Sequence, residues 1–228
     1  MQEETRAYEE LRVGFTAAVS HELRTPLARL LALLETASLP GADRDALLSQ
    51  AREQVEEMSE LVDDVLFLSE LESGREVVAL GSTPALPVLA EVRDRLADSA
   101  ERADVTLRIE ASAEVELPLR RRMLQIVAEN LAENAIRYAG PGSTLTLSAA
   151  PGVLQAADDG RGVDEDELAR LFERFYRSDR ARASRGTGLG LAIVKHVVTA
   201  AGGRVEATGG PNHGLTVRCV FAATSAPS

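Results

Sequence analysis

The sequence has few residues that could form covalent or metal cross-links. One cysteine, Cys219, occurs among 228 residues, which excludes an intrachain disulfide and a zinc site built from cysteines. No apolar run approaches the roughly 18 residues that span a bilayer, and the chain does not open with the basic and then apolar segments of a signal peptide. From these absences we expect a soluble, cytoplasmic chain.

Basic residues are scarce in the first 74 positions, which hold 16 Asp and Glu against 6 Arg. The remaining positions hold 20 Asp and Glu against 19 Lys and Arg, so the first part carries −10 and the second −1 of the net charge of −11. Nucleic acid is therefore not expected as a partner, because its phosphates would repel the acidic part. A solvated face on long helices explains the same excess. The apolar content of 45% is sufficient for a packed core.

Residues 1–74 predict a helical hairpin. Residues 38–41 break the helical pattern, and Asp43 is a candidate cap for the second helix. Apolar residues recur at helical spacing in both arms: Phe15, Ala18, Leu23, Leu27, Leu30 and Leu34 in the first, and a heptad seam of Leu48, Ala51, Val55, Met58, Val62, Val65 and Ser69 in the second, flanked by Leu47, Leu61 and Leu68. Two helices alone cannot bury both stripes of the second arm, so we expect a dimeric four-helix bundle. Gly74 is a suitable stop.

Residues 75–228 predict an α/β sandwich, a sheet with helices on one face. Helices are expected over residues 84–103, 119–138 and 189–201, and alternating apolar residues mark strands near 76–80, 105–109, 145–147, 153–157, 205–207 and 215–221. The tail from Ala222 has a disordered composition.

The octapeptide Ser-His-Glu-Leu-Arg-Thr-Pro-Leu at residues 20–27 interrupts the first helix with reactive side chains. A neutral imidazole such as that of His21 can act as a nucleophile, and Thr25, four residues later, shares its helix face. Pro26 cannot donate a hydrogen bond to the carbonyl of Glu22, so we expect the helix to bend there. Glu22 is placed to orient the imidazole or accept its proton. A chance surface histidine beside a Thr-Pro helix start is the alternative.

The helix predicted over residues 119–138 carries Asn130, Asn134, Arg137 and Tyr138 on one face, because they are spaced by three and four. Amide oxygens can hold a metal ion, a guanidinium pairs with phosphate, and the tyrosine ring can stack. The alternative is a solvated polar face supported by an ion pair between Glu133 and Arg137.

Two glycine-rich segments follow. Asp158-Asp159-Gly160-Arg161-Gly162 comes directly after a predicted strand, where a carboxylate could accept a hydrogen bond from an amine such as that of adenine. Gly186-Thr187-Gly188-Leu189-Gly190 opens a predicted helix, whose N-terminus and amides favour phosphate. For the first segment, the alternative is an ordinary Asp-Gly turn. For the second segment and the arginines that precede it, the alternative is a solvated basic loop.

Taken in this order, the motifs resemble those of the cytoplasmic core of two-component sensor histidine kinases. Residues 20–27 resemble the H box, 130–138 the N box, 158–162 the G1 box, 171–177 the F box and 186–191 the G2 box. The resemblance covers about residues 8–221. Small departures are Arg137 in place of a usual Lys, Asp159 in place of Asn, and Arg161 in place of Pro.

The resemblance implies that residues 1–74 form the dimerisation and histidine phosphotransfer hairpin and residues 75–228 a Bergerat-type catalytic domain that binds ATP. His21 would accept the γ-phosphoryl group on Nε2 and pass it to an aspartate in the receiver domain of a response regulator. Glu22 would assist, and Thr25 would help water to remove phosphate from the regulator.

The same resemblance implies a nucleotide-binding set with magnesium. Asp158 would hold the adenine amine, Asn130 would coordinate Mg²⁺, and Tyr138 would pack beside the base. The other members would contact hydroxyls and phosphates or shape the pocket and lid: Asn134, Arg137, Gly160, Gly162, Gly186, Gly188, Leu189 and Gly190. Phe172 and Phe175 would anchor the base of the lid.

Two other functions fit parts of the pattern. One is a pseudokinase scaffold that binds a nucleotide or a regulator without phosphorylating itself. The other is an ATPase of the chaperone or topoisomerase type that forms no phosphohistidine. A third alternative is a kinase in which phosphatase activity dominates. We expect the chain to be a cytoplasmic fragment of a protein attached to the bacterial cell membrane through a segment absent from this chain.

Overall fold

The computed structural model describes residues 2–73, 81–177 and 186–222. It divides into two compact units, Met1–Phe67 and Leu68–Ser228. The predicted helix stop and domain boundary at Gly74, the strand at 76–80 and the tail beyond Ala222 lie outside the described residues. Within the described part of the chain, no helix is both long enough and apolar enough to cross a membrane.

Two helices account for the first unit, as predicted. Helix α1 spans Gln2–Ala37 and continues through Pro26, and helix α2 spans Arg44–Glu72, with its residues up to Phe67 in this unit. Gly41, with φ at +80°, lies in the turn between them. The Ala46 N–H donates to Asp43 Oδ1 at 3.1 Å, which confirms the predicted cap.

The apolar positions of the first unit fall into buried and exposed sets. The predicted seam of α2 is partly buried and partly exposed: Ala51 is buried, whereas Leu48, Val55 and Val62 are 43–53% exposed. Leu61, which flanks the seam, is buried. An exposed apolar series also runs along α1, formed by Leu27, Leu31 and Leu34. Both helices therefore present apolar side chains to the outside of this unit.

A five-stranded sheet forms the centre of the second unit. The strands of this unit are β1 (Thr83–Pro84), β2 (Thr106–Ala111), β3 (Glu116–Leu117), β4 (Thr144–Ala150), β5 (Val153–Asp158), β6 (Arg204–Gly209) and β7 (Leu215–Val220). The strand order of the sheet is β2-β4-β5-β7-β6, with β2 and β4 parallel and the other pairs antiparallel. A separate two-stranded ladder joins β1 and β3.

The helices of the second unit are α3 (Ala85–Arg102), α4 (Arg121–Tyr138), α5 (Glu165–Leu168) and α6 (Gly190–Ala200). Helix α4 contacts both α3 and α6, and all three long helices contact the sheet. The predicted α/β sandwich and its three long helices are confirmed. The short β1, β3 and α5 were not predicted, because elements of two to four residues are too short to show periodicity.

Alternation along the strands explains why one face of the sheet is covered. Leu145 and Leu147 of β4 are fully buried, whereas the alternating Thr144 and Thr146 are half-buried. Cys219 alternates in the same way on β7 and is fully buried. Burial raises the pKa of its thiol to about 12, so the thiol stays protonated and acts as a small apolar group. Cys219 is therefore a packing residue of the core.

Candidate active site

The polar face of α4 meets the glycine loop that precedes α6. Asn130 Nδ2 donates to the carbonyl of Ile126 at 2.9 Å. A Cβ on Gly190 would lie 2.6 Å from Asn130 Oδ1, so only glycine leaves this oxygen uncovered. Asn134 lies one turn further along α4 and is likewise half-buried. The structure thus brings the predicted metal ligand and the start of α6 together.

The same loop also reaches the end of α4. A Cβ on Gly186, whose φ is +137°, would lie 2.5 Å from an Arg137 guanidinium nitrogen and 3.2 Å from the Tyr138 hydroxyl. Leu189 is fully buried, so its side chain packs in the core. The glycines of this loop therefore permit close contact with the polar side chains of α4.

Asp158 ends β5 beside this region. Its Oδ1 accepts the Gly160 N–H at 2.9 Å. Burial raises the pKa of the Asp158 carboxyl, the Gly160 and Leu215 amides oppose that rise, and neighbouring Asp159 adds to it. A partly buried carboxylate beside a glycine-rich loop is suited to accept a hydrogen bond from an amine.

The 158–162 loop packs against the end of α4. A Cβ on Gly160 would lie 2.6 Å from the Ala139 Cα and would overlap the Ala139 carbonyl, while the Arg161 N–H donates to that same carbonyl at 3.0 Å. The Arg161 guanidinium lies over Gly140. This explains how arginine is accommodated where the family more often has proline.

The other departure in this loop is also accommodated. Asp159 Oδ1 accepts the Thr144 N–H at 2.6 Å, and the Asp159 N–H donates to the Thr144 carbonyl at 3.2 Å. The aspartate therefore fastens the loop to the start of β4.

A third segment, the turn between β6 and β7, was not predicted to belong to the site. The Asn212 N–H donates to the Arg161 carbonyl at 2.7 Å and the Gly214 N–H to the Gly160 carbonyl at 3.1 Å. A Cβ on Gly162, whose φ is +65°, would lie 2.8 Å from the Gly214 carbonyl oxygen. The sequence Gly-Gly-Pro-Asn-His-Gly signals a turn, but turn composition says nothing about what the turn touches.

The segment before the 186–190 loop contains an unusual backbone conformation. Phe175 has a φ of +61°, which is rare for a bulky residue, and its N–H donates to the Gly188 carbonyl at 3.0 Å. The next residue, Tyr176, donates its hydroxyl to Glu167 Oε1 at 3.2 Å. Phe175 was predicted as an anchor, whereas Tyr176 was not singled out.

In the first unit, the H box lies in the middle of α1. His21 and Thr25 are exposed and line one open cavity of about 490 Å³, together with Arg24, Ala28, Arg29 and Ala32. Glu22 is half-buried and does not line it. The predicted acceptor is thus accessible to a reactant.

No group of three or more His, Cys, Asp or Glu side chains within the described ranges is arranged to hold a metal ion.

Both units match known protein families. Residues 11–74 match the His Kinase A phospho-acceptor domain, and residues 120–225 match the histidine kinase-, DNA gyrase B- and HSP90-like ATPase. The chain therefore belongs to the two-component sensor histidine kinases.

Individual relatives agree with this assignment. The phosphate regulon sensor protein PhoR of Pseudomonas aeruginosa is 36% identical over 94% of this chain and 51% of its own length. The histidine kinase AdeS of Acinetobacter baumannii has a similar structure, with a TM-score of 0.71 and 26% identity over 88% of this chain and 97% of that one. The fold is also that of histidine kinase ThkA in complex with response regulator protein TrrA, with a TM-score of 0.74 and 19% identity over 98% of this chain and 66% of that one. The chain spans about half the length of the curated relatives it matches.

The crossing of Gly160 with Ala139 gives a first prediction. Replacing Gly160 by alanine should lower the free energy of unfolding by about 1–3 kcal/mol and weaken nucleotide binding, because backbone must move. Gly210→Ala is the matched control, since a Cβ there meets no atom within 4 Å. Chemical denaturation and nucleotide titration measure both effects; equal values for the two variants would contradict the steric role.

The raised pKa of Asp158 gives a second prediction. Because the folded state holds this proton to higher pH than the unfolded chain does, ionising Asp158 lowers stability as pH rises through its folded pKa. Asp158→Asn removes that loss, so the free energy of unfolding of the variant should rise relative to that of the wild type as the pH is raised from about 4 upward.

Denaturation of both proteins across this range measures the difference. Asp98→Asn, on the exposed side of α3, serves as the control. A difference between Asp158→Asn and wild type that is independent of pH would contradict the prediction.

Proposed function

We propose that this chain is the catalytic core of a sensor histidine kinase that uses ATP to phosphorylate His21 and then transfers the phosphoryl group to an aspartate of a response regulator. The observation that carries the proposal is the meeting of Asn130 and Arg137 with the glycines of the 186–190 loop in the second unit. An exposed histidine on α1 supplies the acceptor.

The nucleotide would lie among three segments: the polar face of α4, the 158–162 loop and the 186–190 loop. Asp158 accepts a hydrogen bond from the adenine amine, and Tyr138 packs beside the base. Asn134 and Arg137 contact hydroxyls and phosphates, where the planar guanidinium can bind oxygen atoms in pairs. Gly188 and Gly190 give the phosphates access to the backbone amides at the start of α6.

Asn130 is suited to hold Mg²⁺ through Oδ1. Its Nδ2 is occupied by the Ile126 carbonyl, which fixes the orientation of the amide, and a side chain at position 190 would crowd the oxygen. When bound, the ion would neutralise charge on the phosphates, which is the main requirement of phosphoryl transfer.

The transfer to histidine is a displacement at phosphorus. The lone pair of neutral His21 Nε2 attacks the γ-phosphorus, the bond from that phosphorus to the bridging oxygen breaks, and ADP leaves with the electron pair. Glu22 orients the ring or accepts the proton from Nδ1 as the positive charge develops.

The second step reverses the roles of the imidazole. A carboxylate oxygen of the regulator's aspartate attacks the phosphorus, and the P–N bond breaks with its electron pair returning to Nε2. Thr25 shares the exposed face of His21, where its hydroxyl can position water for the removal of phosphate from the regulator.

A homodimer is the proposed assembly. The apolar series Leu27, Leu31 and Leu34 on α1 and Leu48, Val55 and Val62 on α2 are 43–55% exposed. A second copy would bury them, since burial of apolar area is the main force in association. No nucleic acid is proposed as a partner, in view of the acidic first unit.

The chain is proposed to act in the cytoplasm, where both ATP and response regulators are available. Any membrane attachment of the full protein would use a segment absent from this chain. The match of both units to kinase domains supports this location.

The third prediction concerns His21. With radiolabelled ATP and Mg²⁺, the wild type should acquire an acid-labile label that His21→Gln does not acquire, because the amide is not a nucleophile. ATP binding should be the same in both proteins.

Asn134→Ala is the reciprocal control, since it should reduce both binding and labelling. A wild type without label would contradict the kinase proposal and favour a pseudokinase. ATP turnover that is unchanged in His21→Gln, with no label in the wild type, would favour a simple ATPase.

The fourth prediction concerns the dimer. Val55→Asp should shift the protein toward monomer by at least about tenfold in dissociation constant, because it buries a charge in an apolar interface. Ser49→Asp, also exposed on α2, should have little effect. Sedimentation equilibrium measures both, and an unchanged dissociation constant for Val55→Asp would contradict this interface.

A further inference from the structure

The F box contains a bulky residue in a strained backbone conformation next to the proposed nucleotide loop. Phe175 has φ at +61°, and such conformations persist where the surrounding structure determines them. A Cβ on Gly188 would lie 2.9 Å from both the Cα and the carbonyl carbon of Phe175. The two backbones therefore cross at close range, and the position of Phe175 sets the position of Gly188.

Gly188 lies in the middle of the 186–190 loop, and the glycines on either side of it approach side chains of α4. Gly186 lies against Arg137 and Tyr138, and Gly190 lies against Asn130. A shift of Gly188 would move both neighbours relative to these side chains. The question is then what holds Phe175 in its strained conformation.

The adjacent residue supplies the restraint. The Tyr176 hydroxyl donates to Glu167 Oε1 at 3.2 Å, and the Arg170 guanidinium lies 4.3 Å above the centre of the tyrosine ring. Partial burial and the Glu167 carboxylate raise the pKa of Tyr176, so its hydroxyl remains a donor.

Both partners of Tyr176 are themselves fixed. Glu167 Oε2 accepts the Asp164 N–H at 3.4 Å, and Arg170 pairs with Glu173 at 3.4 Å. The backbone from Arg170 to Tyr176 is also closed by hydrogen bonds, from Glu173 N–H to the Arg170 carbonyl at 2.9 Å and from Tyr176 N–H to the Glu173 carbonyl at 3.3 Å. The tyrosine is thus held by a short, internally bonded segment.

We infer that Tyr176, Glu167 and Arg170 form a clasp that fixes the backbone of Phe175 and thereby positions the 186–190 loop against α4 for nucleotide. These are positioning residues, since none of them lies in the proposed ligand set. The inference rests on the proposed function for its ligand, but the placement of the loop can be measured without nucleotide.

Hydrogen exchange of the full chain without nucleotide tests the placement. Tyr176→Ala should speed exchange of the amides of residues 186–190, whereas Tyr176→Phe, which keeps the ring beside Arg170 and loses only the hydroxyl, should speed it less. Arg204→Ala, which removes the exposed Arg204–Glu206 ion pair on β6, is the control for a general loss of surface contacts.

Titration with ATP and Mg²⁺ tests the consequence. Tyr176→Ala should raise the Kd about three- to tenfold, as expected for the loss of one hydrogen bond and its ring contact, and should raise KM for ATP with kcat of labelling at saturation nearly unchanged. Should Tyr176→Ala fail to fold, Tyr176→Phe and Arg170→Ala each remove one contact and should each raise the Kd about threefold.

The outcomes separate the two levels of the proposal. Unchanged exchange and unchanged Kd in Tyr176→Ala would overturn the clasp and leave the kinase proposal intact. A wild type that binds no ATP would overturn the proposed function, and faster loop exchange in Tyr176→Ala would still support the clasp.

Discussion

The second unit depends on backbone segments that approach one another more closely than any side chain would allow. Gly160 crosses the end of α4, Gly162 and Gly214 bring the β6–β7 turn onto the loop after β5, and Gly188 crosses Phe175. At each crossing a Cβ would force backbone atoms apart. The 158–162 loop is thereby held at the end of α4, while the β6–β7 turn is held against that loop and Phe175 against the 186–190 loop.

The electrostatic surroundings of the polar groups depend on this steric arrangement. The Asp158 carboxyl is placed where burial opposes its charge, and two backbone amides partly restore the balance. The Asn130 amide is oriented by the Ile126 carbonyl of its own helix. These two groups are thus each held by a backbone partner before any ligand arrives, which reduces the entropy lost on binding.

The sequence predicted the long elements well because their periodicity is a property of local residues. The alternation of Leu145 and Leu147 and the cap at Asp43 are examples. The motif residues of α4 could likewise be placed on one face from spacing alone. The β6–β7 turn and the partners of Tyr176 could not be predicted, because they depend on which segments the sheet order brings together. Asp159 and Arg161 looked like departures from the family pattern, and only their contacts with Thr144 and Ala139 explain how each is accommodated.

The turn at residues 209–214 has a consequence for how the protein matures. It joins the last two strands of the sheet, and its amides meet the loop at 160–162, about fifty residues earlier in the chain. The pocket therefore cannot be completed during synthesis until the final hairpin has emerged and paired. Contacts between such distant residues form late, since closing long loops is costly in entropy. A nucleotide that needs this pocket would then select chains that have finished folding, and by mass action it would draw the folding equilibrium toward them.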